Sequence, residues 1–170
     1  MQRRQPIGGK AKAIYTLEER RRRDESVWTT VQGVLAPAQF LVFLVSLWLV
    51  VRYLATDEGF FAATVSVVIK TGFLYAIMVT GSIWEKVVFG RWLFAPAFFW
   101  EDVVSMAVIA LHTAYLAMLL AGIGTAHEQM YVALAAYVTY AINAAQFLLK
   151  LRAARLSRPD GDAAELEAPA

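Results

Sequence analysis

The chain of 170 residues has no cysteine, which excludes a disulfide framework, a thiol nucleophile and a thiolate metal site. Its two histidines, His112 and His127, are far apart in sequence and differ in setting, so a zinc centre has little support. No phosphate loop, dinucleotide fingerprint, HExxH or nucleophile elbow occurs, which leaves nucleotide chemistry and metal-dependent proteolysis unsupported. Charge is scarce as well, at 18 % of residues, with 16 Lys+Arg against 14 Asp+Glu. What fills the chain instead is apolar: 59 % of residues are hydrophobic, well above the globular average. These residues fall in four long runs, not in short alternating bursts, so membrane is a better solvent for the chain than water.

The runs cover residues 31–54, 60–84, 98–122 and 129–151. Each is near or above the ~20 residues that a helix needs to cross a hydrocarbon core of ~30 Å. The expected class is therefore all-α: a polytopic membrane protein with a four-transmembrane-helix bundle. The first run begins thirty residues in and exceeds the ~7–15 residues of a signal-peptide core, so it reads as a retained span.

Basic residues flank the spans and do not form a face for nucleic acid, so no nucleic-acid partner is expected. Arg3, Arg4, Lys10, Lys12 and Arg20 to Arg23 precede the first span, and Lys150, Arg152, Arg155 and Arg158 follow the last. Lys86 and Arg91 mark the middle loop, while the loops around Asp57 to Gly59 and Gly124 to Glu128 have no Lys or Arg. The positive-inside rule then puts both termini and the middle loop in the cytoplasm. Thr16, with Glu19 three residues on, suggests the capped start of a short surface helix in the basic N-terminal tail of residues 1–30. The acidic, small-residue stretch from Pro159, within the tail 152–170, is expected to be disordered.

Polar side chains at membrane depth are costly and mark functional sites by default. At helical spacing they form one seam per span: Gln32, Gln39 and Ser46; Lys70 and Glu85; Glu101, Ser105 and His112; Thr139, Asn143, Gln146 and Lys150. Four such seams facing inward would give the bundle a polar interior. Lys70, His112 and Asn143 lie near mid-span, and Glu85, Lys86, Arg91, Glu101 and Asp102 gather at the middle-loop edge. His112 reads either as a hydrogen-bonded helix contact, a proton relay or a metal ligand; Lys70 reads as an anchor for an acidic group or a snorkelling side chain.

The segment WEKVVFGRWLFAPAFFWED, residues 84–102, is the most distinctive. Its aromatic residues fit an interfacial belt, but three carboxylates beside Gly90 and Pro96 call for a folded-back segment. Glu85, Glu101 and Asp102 could supply a protonated acid beside an ionised base, or could cap helices and pair with Lys86 and Arg91. Asp102 is the weakest of the three, lying off the Glu101/His112 stripe.

The stretches YTLEERRRRDESVWTTVQGVLAPAQFLVFLVSLWLVVRYL, GSIWEKVVFGRWLFAPAFFWEDVVSMAVIALHTAYLA and YAINAAQFLLKLRAARL resemble the 3-vinyl bacteriochlorophyllide hydratases of anoxygenic phototrophs. The likeness runs from about Tyr15 to about Leu156, with WEKVVFG, FFWEDV and ALHTAYLA its most specific parts. It implies hydration of the C3 vinyl group of a magnesium chlorin, chlorophyllide a or the 3-vinyl bacteriochlorophyllide, without a cofactor, in a bacterial inner membrane. Its implied partners are the pigment, water, membrane lipid and neighbouring enzymes of the same pathway.

Vinyl hydration needs at least an acid and a base that positions water. Glu101 or Glu85 is the expected proton donor, and Asp102 or the other glutamate the water-orienting base. Trp84, Trp92, Phe98 and Trp100 would offer flat surface to the ring, and Lys86 or Arg91 would hold its propionate. His112 becomes an expected axial ligand of the substrate magnesium. Without the resemblance, a proton-coupled transporter or a pigment-binding subunit that performs no chemistry would fit the same pattern.

Overall fold

The computed structural model describes residues 14–156, with side chains placed through Arg152. Arg3, Arg4, Lys10, Lys12, the Arg155 side chain, Arg158 and the tail from Pro159, with the disorder expected of it, lie outside the described residues. Within them the chain is all-helical: α1 (Leu17–Glu25), α2 (Val27–Thr56), α3 (Phe60–Phe89), α4 (Phe99–Ala121) and α5 (Ala126–Leu156). The last four are long and apolar enough to cross a membrane.

Helix α1 starts at a capping box. Thr16 Oγ1 accepts from the Glu19 N–H at 3.2 Å, and Glu19 Oε2 accepts from the Thr16 N–H at 2.8 Å. No residue of α1 is buried, as its LEERRRRDE sequence dictates, yet the helix rests against α3. Ser26 then ends α1 and caps α2 by accepting from the Trp28 N–H.

The spans form two hairpins. Residues 57–59 join α2 to α3 through Asp57 (φ 59°) and Gly59 (φ 84°), and Gly122 (φ 64°) ends α4 before α5. Packing is extensive within each hairpin, α2 on α3 and α4 on α5. Between hairpins it is sparser, α2 touching α5 and α3 touching α4. The result is a four-helix ring in the order α2, α3, α4, α5.

Only 22–28 % of each apolar span is buried inside the molecule. The outward faces are large apolar side chains such as Phe61, Leu120 and Leu148, suited to lipid and not to water. The inward faces follow the polar seams. On α2 they are Gln39, Phe43, Ser46, Val50 and Tyr53; on α4, Glu101, Asp102, Ser105, Val108, His112 and Tyr115.

On α5 the buried face differs from the expected seam, passing through Tyr137, Tyr140 and Asn143. Thr139 turns its hydroxyl to the Ala135 carbonyl of its own helix at 2.9 Å, so it has no need of a partner helix. Another difference concerns the middle segment. Helix α3 continues five residues past Trp84 to Phe89, where Gly90 (φ 76°) ends it with its N–H on the Lys86 carbonyl. The WEK carboxylate and amine therefore sit on a helix, and the irregular link shrinks to residues 90–98.

Candidate active site in two layers

The rim layer lies where α3 ends and α4 begins. Glu85 reaches it from the last turns of α3, and Glu101 and Asp102 from the first turn of α4; all three are buried. Between the helices the chain turns back at Phe94, whose φ of 58° is unusual for a bulky residue. That conformation turns two successive backbone amides toward the carboxylates. The Phe94 N–H donates to Asp102 Oδ2 at 2.8 Å, and the Ala95 N–H donates to Glu85 Oε2 at 3.1 Å. The Glu85 and Asp102 carboxyl groups adjoin one another.

Glu101 is turned the other way. Its Oε2 accepts from Lys150 Nζ at 2.6 Å, joining α4 to α5. Its backbone carbonyl accepts from Asn143 Nδ2 and from Ser105 Oγ, both at 2.9 Å, and Ser105 Oγ lies 3.2 Å from Asn143 Oδ1. Asn143 thus belongs to the rim layer and not to mid-span. Asp102, read as off the working stripe, is buried on the same face as Ser105, since a spacing of three residues keeps to one side of a helix as well as four does. Among the described residues, neither Glu85 nor Asp102 forms an ion pair, and no group of three His, Asp or Glu side chains is placed to hold a metal ion.

An aromatic cluster closes this end. Phe98 is its hub, with ring centroids 5.7 Å from Trp84, 5.9 Å from Phe89 and 5.9 Å from Phe147. Tyr15 stacks on Phe89 at 5.7 Å and 13°, bringing the approach to α1 over the cluster. Burial pushes the Tyr15 phenol above its ordinary pKa, against the lowering influence of the Arg23 guanidinium 4.8 Å from its ring. Lys150 Nζ lies 4.8 Å from the Phe98 ring centre, which links the cluster to the Glu101 ion pair.

The other expected rim residues are not brought in. Lys86 donates to the Gly90 carbonyl at 3.0 Å, capping α3, and Arg91 is exposed. Trp92 and Trp100 are 60 % and 69 % exposed, the positions of a membrane-interface belt; Trp84 alone of the three joins the cluster, its Nε1 donating to Thr29 Oγ1 at 3.0 Å.

The middle layer draws on all four spans. Lys70 of α3 has no exposed surface, and its Nζ lies 3.8 Å from the Tyr140 ring centre of α5. His112 of α4 is fully buried and lies near Tyr137, with ring centroids 5.8 Å apart. Its Nδ1 is 2.8 Å from the Val108 carbonyl. A carbonyl only accepts, so Nδ1 holds the proton and Nε2 presents a lone pair. Tyr137 in turn meets Ser46 of α2 at 2.5 Å, and Ser46 meets Ser66 at 2.7 Å. Lys70 Nζ and His112 Nε2 have no hydrogen-bond partner among the described residues. Tyr137 and Tyr140 escaped the sequence reading, although both lie three or six residues before Asn143 on its helical face.

A family model described as 2-vinyl bacteriochlorophyllide hydratase (BCHF) matches residues 15–153. The chain is 63 % identical over 161 residues to a protein of Rhodobacter capsulatus named 2-vinyl bacteriochlorophyllide hydratase, covering 95 % of this chain and 94 % of that one. It is 67 % identical over 144 residues to a protein of the same name from Cereibacter sphaeroides, covering 84 % and 89 %. No solved structure matches the chain.

Proposed function

The chain belongs to the 2-vinyl bacteriochlorophyllide hydratase family, and from that premise we propose that it hydrates the vinyl group of a magnesium chlorin at the rim layer. It is a hydratase of bacteriochlorophyll synthesis and a multi-pass membrane protein. The observation that supports the rim is the adjoining pair Glu85 and Asp102, each fixed through one oxygen by a backbone N–H.

The chemistry asks for a proton given and a proton taken. Glu85 is the donor: the vinyl π pair takes its proton on the terminal carbon, leaving a cation on the carbon next to the ring, delocalised into the macrocycle. Water attacks that carbon and loses a proton to Asp102, giving the 1-hydroxyethyl group. Proton exchange between the adjoining carboxyls then restores the starting state. Glu101 suits the donor role less well, because it is tied to Lys150 at 2.6 Å; the ion pair instead orients water and holds α4 to α5. The Phe98 cluster gives flat apolar surface to the ring, with Trp84 part of it.

The rim faces the cytoplasm in this reading, together with both termini, because Lys and Arg concentrate at that end of the spans. A bacterial inner membrane, cytoplasmic or intracytoplasmic, is the corresponding location, and lipid and water are the partners beside the pigment.

The test is to incubate membranes containing the protein with chlorophyllide a, and separately with the 3-vinyl bacteriochlorophyllide, without added nucleotide, and weigh the pigment by mass spectrometry. A product heavier by one water, absent from control membranes and lost with Glu85→Gln, is the expected result. Tight binding of both pigments with no product would move the chain to a pigment carrier, and full activity in a correctly inserted Glu85→Gln protein would remove Glu85 as donor.

A further inference from the structure

Of the buried side-chain atoms without a hydrogen-bond partner among the described residues, Lys70 Nζ and His112 Nε2 are the two that belong to basic side chains. Lys70 holds its Nζ in the membrane interior 3.8 Å from the Tyr140 ring centre and without a hydrogen bond among the described residues, an expensive arrangement for an ammonium unless something negative completes it. His112 offers a fixed lone pair at Nε2, held in that tautomer by Val108, and lone pairs of this kind ligate metals. The two demands differ in kind. One asks for an anion and the other for a Lewis acid.

Their positions also differ in depth. His112 is eleven residues from Glu101 on α4, ~16 Å along the axis, and Lys70 is fifteen residues from Glu85 on α3, ~22 Å. From the rim inward the order is therefore carboxyl pair, imidazole, amine. Lys70 and His112 further stand on different hairpins, each against a tyrosine of α5, and packing between the hairpins is sparser than within them.

Resting on the hydratase reading above, we propose that the pigment enters edge-on between the hairpins and is clamped at two points, its magnesium on His112 Nε2 and its propionate carboxylate on Lys70 Nζ. A chlorophyllide has both groups, the carboxylate being free and not esterified. With the metal at His112 and the carboxylate deeper, the vinyl edge of the macrocycle is turned toward Glu85 and Asp102. Lys70 and His112 are in this scheme binding and orienting residues, and they exchange no proton with the vinyl group.

The experiment measures binding by pigment fluorescence to the full-length protein in detergent or lipid discs, using chlorophyllide a, its propionate methyl ester and its magnesium-free form. The wild-type protein is expected to bind the ester and the metal-free pigment about tenfold or more weaker than the parent, since each loses a charged or coordinate contact. Lys70→Met removes only the discrimination against the ester, and His112→Phe removes only the discrimination against the metal-free form. Lys70→Gln repeats the test with a polar side chain in case the methionine variant misfolds. Glu85→Gln lowers the rate of hydration and keeps both discriminations, which separates this proposal from the catalytic one. The clamp is overturned if the wild type does not discriminate, or if either discrimination survives in the variant that should lose it.

Discussion

The two polar layers of the bundle solve the problem of buried polarity in opposite ways. At the rim each carboxylate has its own donor: the Ala95 N–H for Glu85, the Phe94 N–H for Asp102 and Lys150 for Glu101. In the middle layer, Lys70 Nζ and His112 Nε2 are left without a hydrogen bond among the described residues. The rim is organised before any guest arrives, as catalytic groups need to be, because reorganisation during the reaction would add to the barrier. The middle is a place where the fold gives up stability, and such loss is retained where a ligand restores it.

The sharpest way to break this contrast is at the rim. Glu85→Gln keeps the acceptor for the Ala95 N–H and removes only the acid, so kcat for hydration is expected to fall by about 10²–10⁴-fold with the helical content unchanged. Product formation followed by chromatography, beside circular dichroism of the same sample, checks both halves. Second in size is Phe98→Ala. Deleting the hub of the aromatic cluster leaves Trp84, Phe89 and Phe147 facing a cavity and is expected to cost about 3–5 kcal/mol, read as a lower thermal midpoint in detergent.

The spans and most of the buried polar faces are legible in the sequence. Hydrophobic runs longer than a bilayer is thick leave few alternatives to spanning helices, and inward seams follow from the cost of polar groups in lipid. Gln39, Ser46, Lys70, Glu101, Ser105 and His112 were placed on buried faces from spacing alone, and the structure buries each of them. What spacing could not show was the partner of each group. The engagement of Lys86 with its own helix end depends on Gly90 adopting φ 76°, and the rim carboxylates depend on Phe94 at φ 58°, backbone states that no periodicity reports. Tyr137 and Tyr140 read as apolar in a membrane run, although a tyrosine hydroxyl can pair with a buried serine, as Tyr137 does with Ser46, and its ring can face a buried amine, as Tyr140 does with Lys70.

The middle layer yields a prediction of opposite sign. Replacing the unpartnered amine in Lys70→Met removes a desolvated donor set and keeps the side-chain volume, so the empty protein is expected to become more stable, by about 1–3 kcal/mol. Thermal unfolding without pigment checks this, and a lower midpoint would mean that Lys70 already has a partner. Smallest of all is Trp100→Leu. At 69 % exposure, Trp100 belongs to neither layer, so the change is expected to alter stability by no more than about 0.5 kcal/mol and to leave hydration intact. A large loss of activity from that substitution would show that the pigment also touches the outer rim of the bundle, and the division into a catalytic layer and a binding layer would need a third, lipid-facing surface on its path of entry.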